Sequence, residues 1–452
     1  MTPSHPPAML PRSLVLLLAF AAGQAVAGTF YAQPLLDEIA AGFGIAERSA
    51  GAVIAVTQVG YAAGLVLLVP PGDVVERRRL ILVQLVLGAL ALAAAAAAGS
   101  GAQLFVAMAG VGLFAVVIQL LVVHAASLTP EAQRGQVVGA VTSGVVLGIL
   151  QARTLAGPVA ELSSWRMVYL TAAGLTVLVV LVLLRRLPAG DHDRTAITYG
   201  AVLRSLPALY AEARPLRIRG ALALLVFAAL SVVWSSLVLE LTAPPYSLSH
   251  ATVGLFGLVS VAGAVAARRA GRLADRGKGE RTTGRALGLL VVAWLPLAMI
   301  EWSLAAVAVG LVLIDLAVQA VHVTNQSMIY AARPEARSRL AGAYMVFYSI
   351  GIGGGSVAST ATYAAAGWTA VCALGATISL AALAFWVTAS RRRCPAAGTD
   401  RSSCTRIPDS PPLPGAGPLP ARCVGRARAA CARPCHASGG WQTAWCRRRA
   451  AA

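Results

Sequence analysis

Asp315, Gln319, His322 and Gln326 recur at i, i+4, i+7 and i+11 in the stretch VLIDLAVQAVHVTNQSMIYAARPEARSR, residues 312–339. That spacing puts them on one face of a helix. Asn325 belongs to the same polar run, and the residues between are apolar. A carboxyl group and an imidazole can each take up or release a proton when their surroundings move them toward neutral pH. Asp315 and His322 stand about 10 Å apart along such a helix, so Gln319 or water would have to connect them. An ionisable group in hydrocarbon costs a few kcal/mol or more, so the row should face protein or a water-filled cavity. The competing reading is a polar stripe that joins neighbouring helices by hydrogen bonds.

Three further polar side chains interrupt apolar runs and are candidates for the same chemistry: Gln24, Gln119 and Arg153. A lone arginine at depth needs an acid, backbone carbonyls or water. Asp37, Glu240 and Asp315 are the candidate partners. About five helical residues, roughly 7 Å, separate Arg153 from the nearer end of its run, which favours Asp37 or Glu240. His124, at the end of a run, is expected at the membrane interface.

The elements that carry these residues are set by composition. The chain has 452 residues, 58% hydrophobic and 12% charged, which is too apolar for an ordinary soluble protein. Its net charge of +19 does not imply nucleic acid, because residues 1–390 carry 25 basic against 16 acidic residues and the last 62 carry 12 against 2. Apolar runs near residues 13–31, 49–71, 80–99, 102–125, 136–158, 166–187, 219–241, 251–270, 286–302, 303–330, 340–363 and 367–389 each approach the ~20 residues that cross a bilayer. A cleavable leader is the rejected alternative for the first run, which continues through Phe30 and Tyr31.

With twelve spans, eighteen Arg and Lys residues fall in alternate connections and only Arg48 and Arg166 in the others. This segregation places both termini in the cytoplasm. The halves also echo each other: PEAQR at 130–134 returns as PEAR at 334–337, Asp73 as Asp275, and Trp165 as Trp368. Offsets of 202–204 residues predict a duplicated unit with its solute site between the halves. The expected organisation is a bundle of six helices over residues 1–187, a cytoplasmic linker over 188–217, a second six-helix bundle over 218–390, and a disordered basic tail over 391–452. Six of the seven cysteines lie in that tail without metal-site spacing, and Cys372 reads as a small buried hydrophobe.

Residues 71–79, PGDVVERRR, and 271–277, GRLADRG, resemble the loop signature G-x-L-A-D-R-x-G-R-R of the major facilitator superfamily. Trp165-Arg166 at the start of the sixth run adds to the resemblance. YAQPLL at 31–36, residues 58–60 and VTNQSMIY at 323–330 are similar to a bacterial branch grouped with drug and sugar efflux permeases. The resemblance implies an all-α membrane fold of about twelve helices in two six-helix bundles. It further implies proton-coupled efflux of a small organic solute from the cytoplasmic side of a bacterial inner membrane, by a monomer needing no cofactor, metal or nucleic acid. Asp73, Arg77, Arg78, Asp275 and Arg276 take gating roles by the same resemblance. Uptake of a small metabolite is the alternative within this fold. An intramembrane enzyme is the alternative outside it, and no nucleophile–base pair or H-E-x-x-H supports that reading. Two departures stand out: the fourth run has no arginine, and Arg153 occupies the fifth about where the family carries proline.

Overall fold

The computed structural model describes residues 11–73, 75–188, 200, 204, 210–259, 269–270, 273, 276–332 and 337–391. Met1–Cys394 forms one compact unit, and the second unit, Pro395–Ala452, lies outside the described residues. The tail expected to be disordered is therefore not described.

No strand occurs among the described residues. In chain order the helices are α1 Arg12–Ala27, α2 Leu36–Gly42, α3 Ala52–Leu67, α4 Arg77–Ala97, α5 Gly101–Ala115, α6 Val117–Ser127, α7 Glu131–Leu162 and α8 Trp165–Arg186. There follow α9 Arg214–Thr242, α10 His250–Leu255, α11 Gly279–Val292, α12 Trp294–Ala298, α13 Leu304–Ala332 and α14 Arg337–Arg391. Eight apolar stretches among the described residues are long enough to cross a bilayer. The last of them, Arg339–Ser390, spans 52 residues and is interrupted at Gly367, whose φ of 69° departs from helix. With the shorter α1, α10 and α11–α12, the protein is an all-helical membrane protein of about twelve transmembrane helices.

Local chemistry explains several boundaries. Ser100 caps α5 by accepting from the backbone N–H of Gln103 at 3.3 Å, and Ser249 caps α10 by accepting from Thr252 N–H at 3.3 Å. The ninth and tenth runs separate where α12 ends at Ala298 and α13 begins at Leu304, across the exposed Glu301 and Trp302. Gly367 supplies the left-handed turn between the last two runs, a conformation costly for any residue with a Cβ.

Packing rests on backbone contact between helices. On α7, a methyl group at Gly144 would lie 2.0 Å from the Ala19 carbonyl of α1, and one at Gly148 would lie 2.1 Å from that of Gly23. These two glycines pack closely, as small residues do in membrane helices. The first arm of α14 meets α9 in the same way at Gly351 and Gly355, whereas Gly139 and Gly354 have open space. Contacts gather α1 with α7, α3 with α5 and α4 with α8, and separately α9 with α13 and α14. The two groups meet where α3 packs on α14 and α7 on α10.

Candidate functional site

The residues of the α13 row meet different neighbours. Asp315 is buried, and Gln319, His322 and Gln326 are half-buried. His322 Nδ1 lies 3.1 Å from the Tyr344 hydroxyl, and its ring stands edge-on to Phe227 with centroids 5.2 Å apart. Tyr348, 4.2 Å from Phe227 between centroids, completes an aromatic box from α9, α13 and α14. Asn325, one turn on, instead accepts from Arg219 Nη1 at 3.3 Å and donates to the Arg219 carbonyl at 3.3 Å.

Asp315 belongs to a different neighbourhood. Arg153 of α7, 3% exposed, donates through Nη2 to Gln33 Oε1 at 3.4 Å. Its guanidinium carbon lies 3.9 Å from the ring centroid of Trp234 on α9 and 5.8 Å from that of Phe30. Of the three acids considered for Arg153, Asp315 is the one whose charge reaches it. Asp37 is engaged by His250, and Glu240 by the Tyr363 hydroxyl. The expectation of a partner near the helix end is corrected on this point. α13 brings Asp315 across from another part of the chain.

The remaining predicted residues are dispersed. Gln24 accepts from Tyr31 Oη at 3.4 Å and lines an internal cavity among α1, α4, α5, α6 and α8 with Gln84 and Thr176, so it does not meet the α13 row. Gln119 bonds Tyr61 and lines an open cleft with Arg77, Tyr210, Arg339 and Ala343. Tyr210 donates to the Ala343 carbonyl at 3.0 Å within that cleft. Arg77 Nε donates to the Gly72 carbonyl at 2.9 Å, and Arg78 Nη2 to the Leu184 carbonyl at 2.8 Å, each answering a chain-end acceptor. Arg276 is exposed in a turn. The Asp73 side chain and all of Asp275 lie outside the described residues. His124, expected at the interface, is 1% exposed, and its ring donates to the backbone carbonyl of Pro188 just after α8.

Two clusters were missed. Arg219, where the seventh apolar run begins, is 1% exposed and bound by Glu280, with Nη1 donating to Thr283 Oγ1 at 3.2 Å. Glu280 also accepts from Trp386 Nε1 at 3.0 Å. At the end of the molecule opposite the arginine-rich cleft, His250 Nε2 stands 2.9 and 3.0 Å from the two Asp37 oxygens. Glu161 Oε1 accepts from Ala251 N–H at 2.7 Å beside it, and Thr360 Oγ1 accepts from Gly51 N–H at 3.2 Å. His250 lies just before the eighth apolar run. The hydrogen bond to Asp37 raises its pKa above the ordinary 6.5, against the lowering effect of burial, and Asp37, Glu38 and Glu161 add to the rise. Pairs separated by 213 residues leave no signal in local sequence. The one available sign was a histidine beside a capping serine at the mouth of a span.

A family model described as Major Facilitator Superfamily matches residues 15–351. The uncharacterised transporter YgaY of Escherichia coli O157:H7 is 44% identical over 374 residues, covering 83% of this chain and 95% of that protein. Transporter SCO4007 of Streptomyces coelicolor is 33% identical over 363 residues, covering 79% and 83% respectively. Among solved structures, the nucleoside transporter NupG superposes with a TM-score of 0.69 at 14% identity, over 84% of this chain and 99% of that one. A bacterial homologue of the human lysosomal transporter Spinster, inward-facing and occupied, gives 0.67 at 15%, over 84% and 97%. At these identities the solved structures speak for the fold alone. The helical architecture, the match over three quarters of the chain and the two transporter relatives agree, and the chain belongs to the Major Facilitator Superfamily.

Proposed function

We propose that this transporter moves a small organic solute by alternating access, exporting it across a bacterial cytoplasmic membrane in exchange for protons. Residues 1–187 and 218–390 act as two rocking bundles joined by the 188–217 linker, with both termini and the arginine-rich end in the cytoplasm. The observation that carries this reading is Arg153, buried on α7, in contact with Trp234 of α9 and under the charge of Asp315 of α13. An ionisable pair shared between the two groups of helices is costly in an apolar interior unless its environment changes during the cycle. The contacts Asp37–His250, Glu161–Ala251 and Gly51–Thr360 support a state closed at the acidic end. The cleft at Arg77 and Arg339 supports access from the opposite end.

Asp315 and His322 carry the proton coupling in this proposal, and Gln319, Gln326 and Gln119 line the solute path. Arg77, Arg78 and Arg276, with Asp73 and Asp275, set the cytoplasmic gate. The test is flux in proteoliposomes, screening a compound panel with and without a pH gradient and in both directions. Asp315→Asn should insert normally and lose gradient-driven flux. Normal gradient-driven flux in that variant would remove Asp315 from the mechanism, and flux only inward would replace export by uptake.

A further inference from the structure

Arg219 and His322 are joined through Asn325 and Tyr344. Asn325 Oδ1 accepts from Arg219 Nη1, and Nδ2 donates to the Arg219 carbonyl, each at 3.3 Å. The Asn325 amide also donates to the Tyr344 hydroxyl, which stands 3.1 Å from His322 Nδ1. Asn325 and Tyr344 are 0% exposed and Arg219 is 1% exposed, so the series runs through packed protein. Chemistry at one end fixes the order of donors along it. A guanidinium only donates, so the amide oxygen must face Arg219 Nη1 and the amide nitrogen the Arg219 carbonyl; the reverse placement would set donor against donor and acceptor against acceptor. With Tyr344 Oη accepting from the amide, its O–H is left to donate onward, and His322 Nδ1 is the atom it meets.

We propose that Asn325 and Tyr344 are positioning residues that impose one tautomer on His322, bare at Nδ1 and protonated at Nε2, so that a transported proton bonds at Nδ1 and breaks the contact with α14. The proposal rests on the transport reading and names the atom of His322 that takes the proton. Which nitrogen of a histidine carries hydrogen is set by the bond the other nitrogen makes. Neighbouring rings hold the imidazole in this orientation, Phe227 edge-on at 5.2 Å and Tyr348 at 6.3 Å between centroids. When a proton occupies the Nδ1 lone pair, that nitrogen becomes a donor and meets the Tyr344 O–H head-on. The hydroxyl can turn to accept from His322 as it does from Asn325, but its own hydrogen has then lost its acceptor. His322 lies on α13 and Tyr344 on α14. Loading the proton therefore sets the two helices against each other at this point, and releasing it restores the bond.

The test is nitrogen NMR of the full-length protein in lipid bilayers, with isotope-labelled histidine, at a pH that keeps the ring neutral; His322→Gln identifies the signal. Bare and protonated ring nitrogens resonate far apart, and His322 should show a bare Nδ1 and a protonated Nε2. Tyr344→Phe, which keeps the ring and removes the donor, should shift the Nδ1 signal toward that of a nitrogen without a hydrogen bond. Asn325→Asp should reverse the series. A carboxylate accepts from Arg219 and Tyr344 alike, which turns the hydroxyl into an acceptor for His322 and moves the hydrogen to Nδ1. A role in packing alone would leave the tautomer unmoved by that exchange. A protonated Nδ1 in the parent, an unshifted Nδ1 signal in Tyr344→Phe, or a bare Nδ1 in Asn325→Asp would each overturn the proposal, and where one variant fails to insert, the parent and the other variant decide. The spectra are read without flux. The expected tautomers with gradient-driven flux intact in His322→Gln would sink proton coupling at His322 alone, and a protonated parent Nδ1 with that flux lost would sink the positioning role alone.

Discussion

Arg153 and Arg219 are almost equally buried, yet their surroundings differ in kind. Arg219 is held within α9, α11 and α13 by a carboxylate, a hydroxyl and an amide, and its carboxylate partner is tied down by Trp386. The contacts of Arg153 include the Gln33 amide at long range, the faces of Trp234 and Phe30 and the field of Asp315, and these neighbours come from segments far apart in sequence. A charge whose partners all belong to one packed group is a fastener. One whose partners lie on separate groups changes energy whenever those groups move. The partner set, and not burial, distinguishes the two.

The largest expected effect tests the fastener. Glu280→Gln removes the counter-charge of a buried guanidinium, and breaking the pair costs about 3 kcal/mol, the low end for buried pairs because the Glu280 side chain is 38% exposed. Thermal unfolding in detergent should show a large loss of stability or a failure to insert. A variant as stable as the parent would erase the contrast with Arg153. Next in size is Gly144→Val, which would force α1 and α7 apart at a 2.0 Å approach. Overpacking of this kind costs about 1–3 kcal/mol or more, and a melting temperature unchanged from the parent would refute the packing account.

Arg153→Gln should cost little stability and abolish transport, the reverse of the Glu280 pattern. Full flux in that variant would reduce Arg153 to packing. A smaller effect concerns the latch between Asp37 and His250. Because the closed arrangement holds the His250 proton more tightly than an open one, its stabilisation is complete below the ordinary pKa of 6.5 and fades as pH rises through the raised value. Labels placed across the acidic end should therefore separate more often at alkaline pH, and His250→Gln should flatten that dependence. Alkaline closure, or an unchanged profile in His250→Gln, would remove the latch. Deleting residues 396–452 should have the least effect, leaving stability and flux within the error of measurement.

The helices were largely legible in the sequence because hydrocarbon imposes a simple rule on residue type and length. Runs of apolar residues ended at Pro34, at Trp302 and at Gly367 for reasons visible one residue at a time. An added methyl group would clash at Gly144, Gly148, Gly351 and Gly355 and meet open space at Gly139 and Gly354, a difference that residue type alone does not carry. The site was less legible. Periodicity put Asp315, Gln319, His322 and Gln326 on one face, but the face is divided among Arg153, the aromatic box and the Arg219 cluster by what α7, α9 and α14 place opposite. Arg219 gives no sign of its burial, because it stands beside Arg214 and Arg217 at a span boundary, where a buried arginine and a loop arginine have the same sequence context.

The central claim is that α13 faces a solute path that opens to each side in turn. Gln319→Cys in a background without other cysteines, treated with a membrane-impermeant maleimide in right-side-out and inverted vesicles, tests it directly. The account predicts labelling from the arginine-rich side in the resting protein and from the acidic side as well when turnover is driven. A cysteine at 319 that reacts from neither side under any condition would contradict it.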